Sequence, residues 1–234
     1  MKDYQRIAIV ESGEPLVAIP ADRVCLISPH PYAVLGAPYG DKSPFYLRAG
    51  VLAALLQAQT KLEQSYPGWK IQIFDAYRPI AVQQFMVDYT FSQLVQARGF
   101  GPENLTDGQK QTLLEQVYEF WAVPSADPTT PPPHSTGAAL DVTLVNAAGT
   151  PIEMGSEIDE ISPRSYPDHF AGHSDETAQR YDRHRQLLAA CMESVGFTRH
   201  PREWWHFSLG DQMWAWLNNQ QRGRNLVARY GSIA

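Results

Sequence analysis

The chain has 234 residues, 44% hydrophobic and 19% charged, with a formal net charge of -6 and two cysteines. That length suits one substantial core, so a single domain over 1–234 is expected. The mild acidity gives no general attraction to nucleic acid or anionic membrane, and no apolar run approaches the roughly 20 residues of a membrane span.

The N-terminal residues lead into a short apolar run, Ile7 to Val10, broken by Glu11. It is too short for a signal peptide. Cys25 and Cys191 fit no metal or redox motif and read as core thiols in a reducing cytoplasm. Residues 7–10 and 16–19 read as short strands. Cys25 to Asp41, rich in Pro, Gly and Tyr, reads as a long loop. From Tyr46 to Ser65, Leu47, Val51, Leu55 and Leu62 fall at near-helical intervals, so the spacing predicts a helix that Pro67-Gly68 ends. Lys70 to Asp75 alternates as a strand and runs into Ala76-Tyr77-Arg78-Pro79. A helix through Val82, Phe85, Met86 and Tyr89 follows, then another over about Gln109 to Trp121. Pro124 to Pro133 holds five prolines and reads as a stiff connector.

Ala139 to Val145 alternates Leu140, Val142 and Leu144 against Asp141 and Thr143, a strand with Asp141 on the opposite face. Residues 146–175 are loop-rich. A helix is expected from about Glu176 to Val195, with Gly196 as its C-cap. Glu203 to Leu209 reads as a strand carrying His206, and Trp214, Trp216 and Leu217 suggest a short helix. Residues 220–234 hold Arg222, Arg224 and Arg229 with no acid and read as a solvated tail. Strands and helices are mixed without regular βαβ alternation, so the fold class is α+β.

Two stretches carry chemistry. Pro133-His134-Ser135-Thr136-Gly137-Ala138-Ala139-Leu140-Asp141 offers an imidazole and a carboxylate, with Gly137 and two alanines allowing the chain to fold back. Arg202-Glu203-Trp204-Trp205-His206 offers a second imidazole. Two His and one carboxylate form a common ligand set for catalytic zinc, and a further Glu can serve as general base. On a regular strand Glu203 and His206 face opposite ways. Both approach one ion only if Glu203 lies on the entry to the strand or a bulge re-aims it. His169 and His173 are a rival pair at helical spacing, but Pro167 and Gly172 disfavour a helix there. His30, His184 and His200 stand alone. Arg78 could supply a cation to an oxyanion or simply pair with Asp75.

His134-x-x-Gly137-x-Ala139-x-Asp141 and Glu203-Trp204-Trp205-His206 resemble the D-alanyl-D-alanine dipeptidases, zinc peptidases related to the D,D-carboxypeptidases. The likeness includes Phe74-Asp75-Ala76-Tyr77-Arg78-Pro79 and Met154-Gly155-Ser156-x-x-Asp159, and runs from about Tyr32 to His206. It implies an α+β domain with a mainly antiparallel central sheet, flanking helices and a zinc site at the sheet. It implies one zinc per chain held by His134, Asp141 and His206, with Glu203 as general base and Arg78 on the oxyanion. It further implies Asp159 near the substrate's amino end, Tyr32 and Tyr46 lining the pocket, and a small dipeptide as substrate. The family commonly has Ser two residues before the first zinc His; Pro132 stands there, leaving Asp159 as the main ammonium partner. Two other readings are a carboxypeptidase trimming larger wall fragments and a non-catalytic zinc module. Glu203 argues against the latter, because metal binding alone does not require it.

Overall fold

The computed structural model describes residues 2–233. In chain order its strands and helices are β1 (Leu16–Ala18), β2 (Cys25–Leu26), α1 (Pro31–Val34), β3 (Tyr46–Arg48), α2 (Ala49–Ser65), β4 (Lys70–Asp75), α3 (Ile80–Ala97), α4 (Asp107–Phe120), β5 (Ala139–Val145), α5 (Glu176–Glu193), β6 (Thr198–Arg199), β7 (His206–Ser208) and α6 (Gln212–Arg222). Five strands form the main sheet in the order β2-β4-β5-β7-β6, with β2 parallel to β4 and the other pairs antiparallel. β1 and β3 make a separate antiparallel pair. The protein is a single α+β domain with a mainly antiparallel sheet and flanking helices.

Alternation along the strands builds the core. Ile71 and Ile73 of β4 and Leu140, Val142 and Leu144 of β5 are fully buried in one cluster with Leu55 and Leu62 of α2 and Leu188 and Met192 of α5. Each such side chain contributes roughly 1.5–3 kcal/mol by leaving water. A second cluster joins Tyr32, Val82, Met86, Val117 and Trp121. Helix starts follow the sequence closely. Thr106 and Gln109 form a capping box on α4, Asp175 caps α5 through Ala178 N, and Asp211 caps α6 through Trp214 N.

Five local expectations change. Cys25 to Asp41 is not all loop, because Cys25–Leu26 pairs with β4 as β2 and Pro31–Val34 forms α1. Tyr46–Arg48 is a strand, not the first turn of a helix, because Leu47 pairs with Val17 and Arg48 N donates to Gly137 O at 2.8 Å. Residues 7–10 form no strand; Ile9 makes a single bridge to Ala228. The expected strand over 203–209 shortens to β7, which leaves Glu203 on its approach.

Residues 220–234 are not simply a solvated tail. Ala228 and Tyr230 are fully buried. Their segment is fastened by Val10 N to Ala228 O (2.8 Å), Arg229 N to Gly210 O (2.7 Å) and Gly231 N to Glu11 Oε2 (2.7 Å). The partners lie some 20 or more than 200 residues away, so local composition cannot reveal them.

Candidate active site

Strand register builds the site. Asp75 pairs with Asp141, and Asp141 pairs with His206, so three neighbouring strands set these residues in one row. Directly paired residues on antiparallel strands share a face. Asp75 joins the row through a bulge. Between Ile73 and Asp75 the register with β5 slips, which carries Asp75 away from the face of Ile71 and Ile73.

His134 reaches the row from a tight turn, Pro133–Thr136, that ends at Gly137 with φ +69°. A side chain at Gly137 would collide with Leu16, so both the backbone and the space require glycine.

The three donors lie close together. His134 Nε2 is 3.2 Å from His206 Nδ1 and 3.3 Å from Asp141 Oδ2, and His206 Nδ1 is 3.0 Å from Asp141 Oδ1. Ligand atoms held tetrahedrally about one zinc at 2.0–2.1 Å lie roughly 3.3–3.4 Å apart.

The tautomers follow from the outer partners. His134 Nδ1 donates to the Ala76 carbonyl at 2.7 Å, which leaves a lone pair on Nε2. Ser208 Oγ donates to Asp211 Oδ2 at 2.8 Å, so it accepts from His206 Nε2 at 3.4 Å and leaves a lone pair on Nδ1. Two ring nitrogens and a carboxylate then face one point. This donor set could hold a metal ion, and outer hydrogen bonds of this kind orient such ligands. Among the described residues it is the one cluster of three such donors.

The remaining expected residues surround this point unevenly. Glu203 Oε2 is 3.7 Å from His206 Nδ1 and Oε1 is 3.6 Å from His200 Nδ1. Burial raises the Glu203 carboxyl well above its usual range, and Asp141 and Asp159 add to the effect. Arg78 spans the row: Nη2 lies 2.7 Å from Asp75 Oδ2 and 3.3 Å from Asp141 Oδ2, and Nη1 donates to Gln83 Oε1 at 2.9 Å. Its guanidinium also sits over the Tyr32 and Trp121 rings. Pairing with Asp75 and facing the centre, opposed alternatives in the sequence, occur together. Burial works against the Arg78 charge, but Asp75 and the other neighbours outweigh it and raise its pKa. Burial likewise works to raise Asp141, yet His134 and His206 hold it below the usual carboxylate range.

Asp159 has φ +66°, uncommon outside glycine, and accepts from Tyr32 OH at 2.7 Å. Burial, then Asp141, pushes its carboxyl up to about 7 against that hydrogen bond. Tyr46 does not join the group. It pairs with Ala18 in the small sheet, and neither it nor Tyr32 is among the residues that line the cavity. Pro132 is buried at the start of the His134 turn.

His169 and His173 lie with ring centroids 6.0 Å apart and are not among the clustered donors. Three residues that the sequence reading left aside matter here. His200 lines the cavity, its pKa pulled well down by burial. His30 Nε2 lies 3.2 Å from Asp75 Oδ1, and Gln83 holds Arg78. The position of His200, three before Glu203, was the available signal for it.

A metal-type donor set beside a buried carboxyl, in a cavity at a sheet, fits the class of metal-site hydrolases. Comparison with known proteins narrows this. The family described as D-ala-D-ala dipeptidase matches residues 26–223. A D-alanyl-D-alanine dipeptidase of Synechocystis sp. is 50% identical over 240 residues, spanning 100% of this chain and 97% of that protein. One from Enterococcus faecium is 31% identical over 148 residues, covering 62% of this chain and 64% of its own. The chain belongs to the D-ala-D-ala dipeptidase family and is a peptidase. No helix among the described residues is long and apolar enough to cross a membrane.

Proposed function

We propose that this peptidase hydrolyses D-Ala-D-Ala or a closely related D-amino-acid dipeptide, with one zinc held by His134, Asp141 and His206. The observation that carries the metal is the convergence of three lone-pair donors at 3.0–3.3 Å with their outer hydrogen bonds already satisfied. Zinc there would supply Lewis acidity, polarising the scissile carbonyl and acidifying a water.

The chain's own groups carry the proton and the charge. Glu203 accepts the proton of the attacking water at its carboxylate and delivers it to the leaving amine. Its burial favours the protonated form, while a cation beside it favours the ionised form, which suits a group that must hold a proton only between two steps. Arg78 opposes the charge that develops on the carbonyl oxygen, and a guanidinium keeps its charge at any working pH. Asp159, buttressed by Tyr32, receives the substrate ammonium.

Lys2 and Tyr4, from the N-terminal segment, wall the same cavity as His134 and Glu203. That enclosure favours a dipeptide over a wall polymer, the substrate of the carboxypeptidase alternative. Both cysteines are free, in keeping with a cytoplasmic enzyme. The test is metal analysis and dipeptide turnover on the same samples. Wild type should hold one zinc per chain and release D-Ala, and His206→Ala should lose both. Full zinc occupancy in His206→Ala would sink the ligand assignment.

A further inference from the structure

Residues 2–6 form a strap along one wall of the cavity, to which Lys2 and Tyr4 contribute. Asp3–Arg6 is a short 3₁₀ turn. Tyr4, 4% exposed, packs against Met213 and Leu217 of α6. Gln212 Nε2 donates to the carbonyls of Gln5 (3.3 Å) and Ile7 (2.7 Å) and pins the backbone. So anchored, the strap brings Lys2 to the cavity, where its Nζ donates to Tyr118 O at 3.0 Å. This segment lies outside residues 26–223, so the family match says nothing of it.

Acidic and basic side chains both line the cavity. Glu119, Asp141, Asp159 and Glu203 line it, against Arg78 and Lys2. Arg78 is already committed to Asp75 and Asp141. Among the described residues the Lys2 ammonium has a carbonyl as partner and is in no ion pair. A free dipeptide is a zwitterion. Its ammonium has Asp159 to meet, while its carboxylate needs a cation not yet engaged, and an ammonium with spare donors meets that need.

We propose that Lys2 binds the terminal carboxylate of the substrate, so that the strap makes the enzyme select a free C-terminus two residues from the free amine. This rests on the dipeptidase reading above. Lys2 then determines specificity and takes no part in the proton transfers.

The experiment compares D-Ala-D-Ala with its C-terminal amide in the zinc-loaded wild type, Lys2→Met and Lys2→Arg. One charge-assisted hydrogen bond at an exposed position corresponds to about tenfold in binding. Wild type should prefer the acid over the amide by about that factor. Lys2→Met should lose the preference, mainly through a higher KM for the acid, and Lys2→Arg should restore most of it. The preference is a ratio within one preparation, so loss of folded protein cancels. Equal losses on acid and amide would overturn the proposal, placing the effect on Glu203 or on the strap's packing. So would an undiminished preference in Lys2→Met. Wild type that cleaves neither compound would instead overturn the dipeptidase reading itself.

Discussion

Arg78→Ala separates the chemistry of the site from its architecture. The guanidinium is 4% exposed and holds two carboxylates that face each other across β4 and β5. Its removal takes the 2.7 Å and 3.3 Å contacts from Asp75 and Asp141 and the 2.9 Å contact from Gln83. Breaking a buried pair in this way costs about 3–5 kcal/mol, because the partner charge stays buried. His30 and Tyr39, at 3.2 and 3.1 Å from Asp75 Oδ1, remain and argue for the lower figure. For a chain of this size about 1 kcal/mol moves the thermal midpoint by 2–4 °C, so a drop of roughly 6–12 °C is expected.

If Arg78 also meets the oxyanion, its contact strengthens in the transition state, so kcat and kcat/KM should fall together by about 10²–10³. Arg78→Lys should recover part of both, since one ammonium cannot span two carboxylates as the fork does. The assay is steady-state turnover of D-Ala-D-Ala at 25 °C, per folded molecule, with the midpoint measured on the same preparation. A lowered midpoint with unchanged kcat would refute the oxyanion role and leave Arg78 as a strut between the strands.

Two further outcomes are expected. Glu203→Gln should keep its metal and lose turnover by about 10²–10⁴, the usual range for a general base; an active variant would remove Glu203 from the mechanism. Asp211 should make the protein less stable as pH rises. Burial raises its carboxyl to about 6, above the ordinary ~3.9 of an unfolded Asp, so the folded state binds the extra proton and stability is lost between about pH 4 and 6. Asp211→Asn keeps an N-cap oxygen for Trp214, so its midpoint should gain on wild type across that interval, and parallel curves would contradict the shift.

By itself the sequence determined the pieces of this protein. The alternation in 70–75 and 139–145 and the helical spacings through Leu55, Met86 and Leu188 are local signals, and the elements appear where those signals lie. The two motifs named the donor residues for the same reason: a glycine turn between His134 and Asp141, and a carboxyl three residues before His206, are written in contiguous chain. Tertiary structure decided how the pieces meet. The bulge before Asp75 changes the face of one side chain, and parity along β4 gives no hint of it. Distance in sequence hides the two remote partners of Arg78, Tyr32 and Asp141. It also hides the strap that brings Lys2 to the cavity. Residues 228–231 read as solvated because Arg222, Arg224 and Arg229 have no acid near them in sequence, yet they are held by Gly210, Glu11 and Glu14. Composition and periodicity report short-range preference, whereas burial and hydrogen bonding between distant segments are fixed only when the sheet register closes.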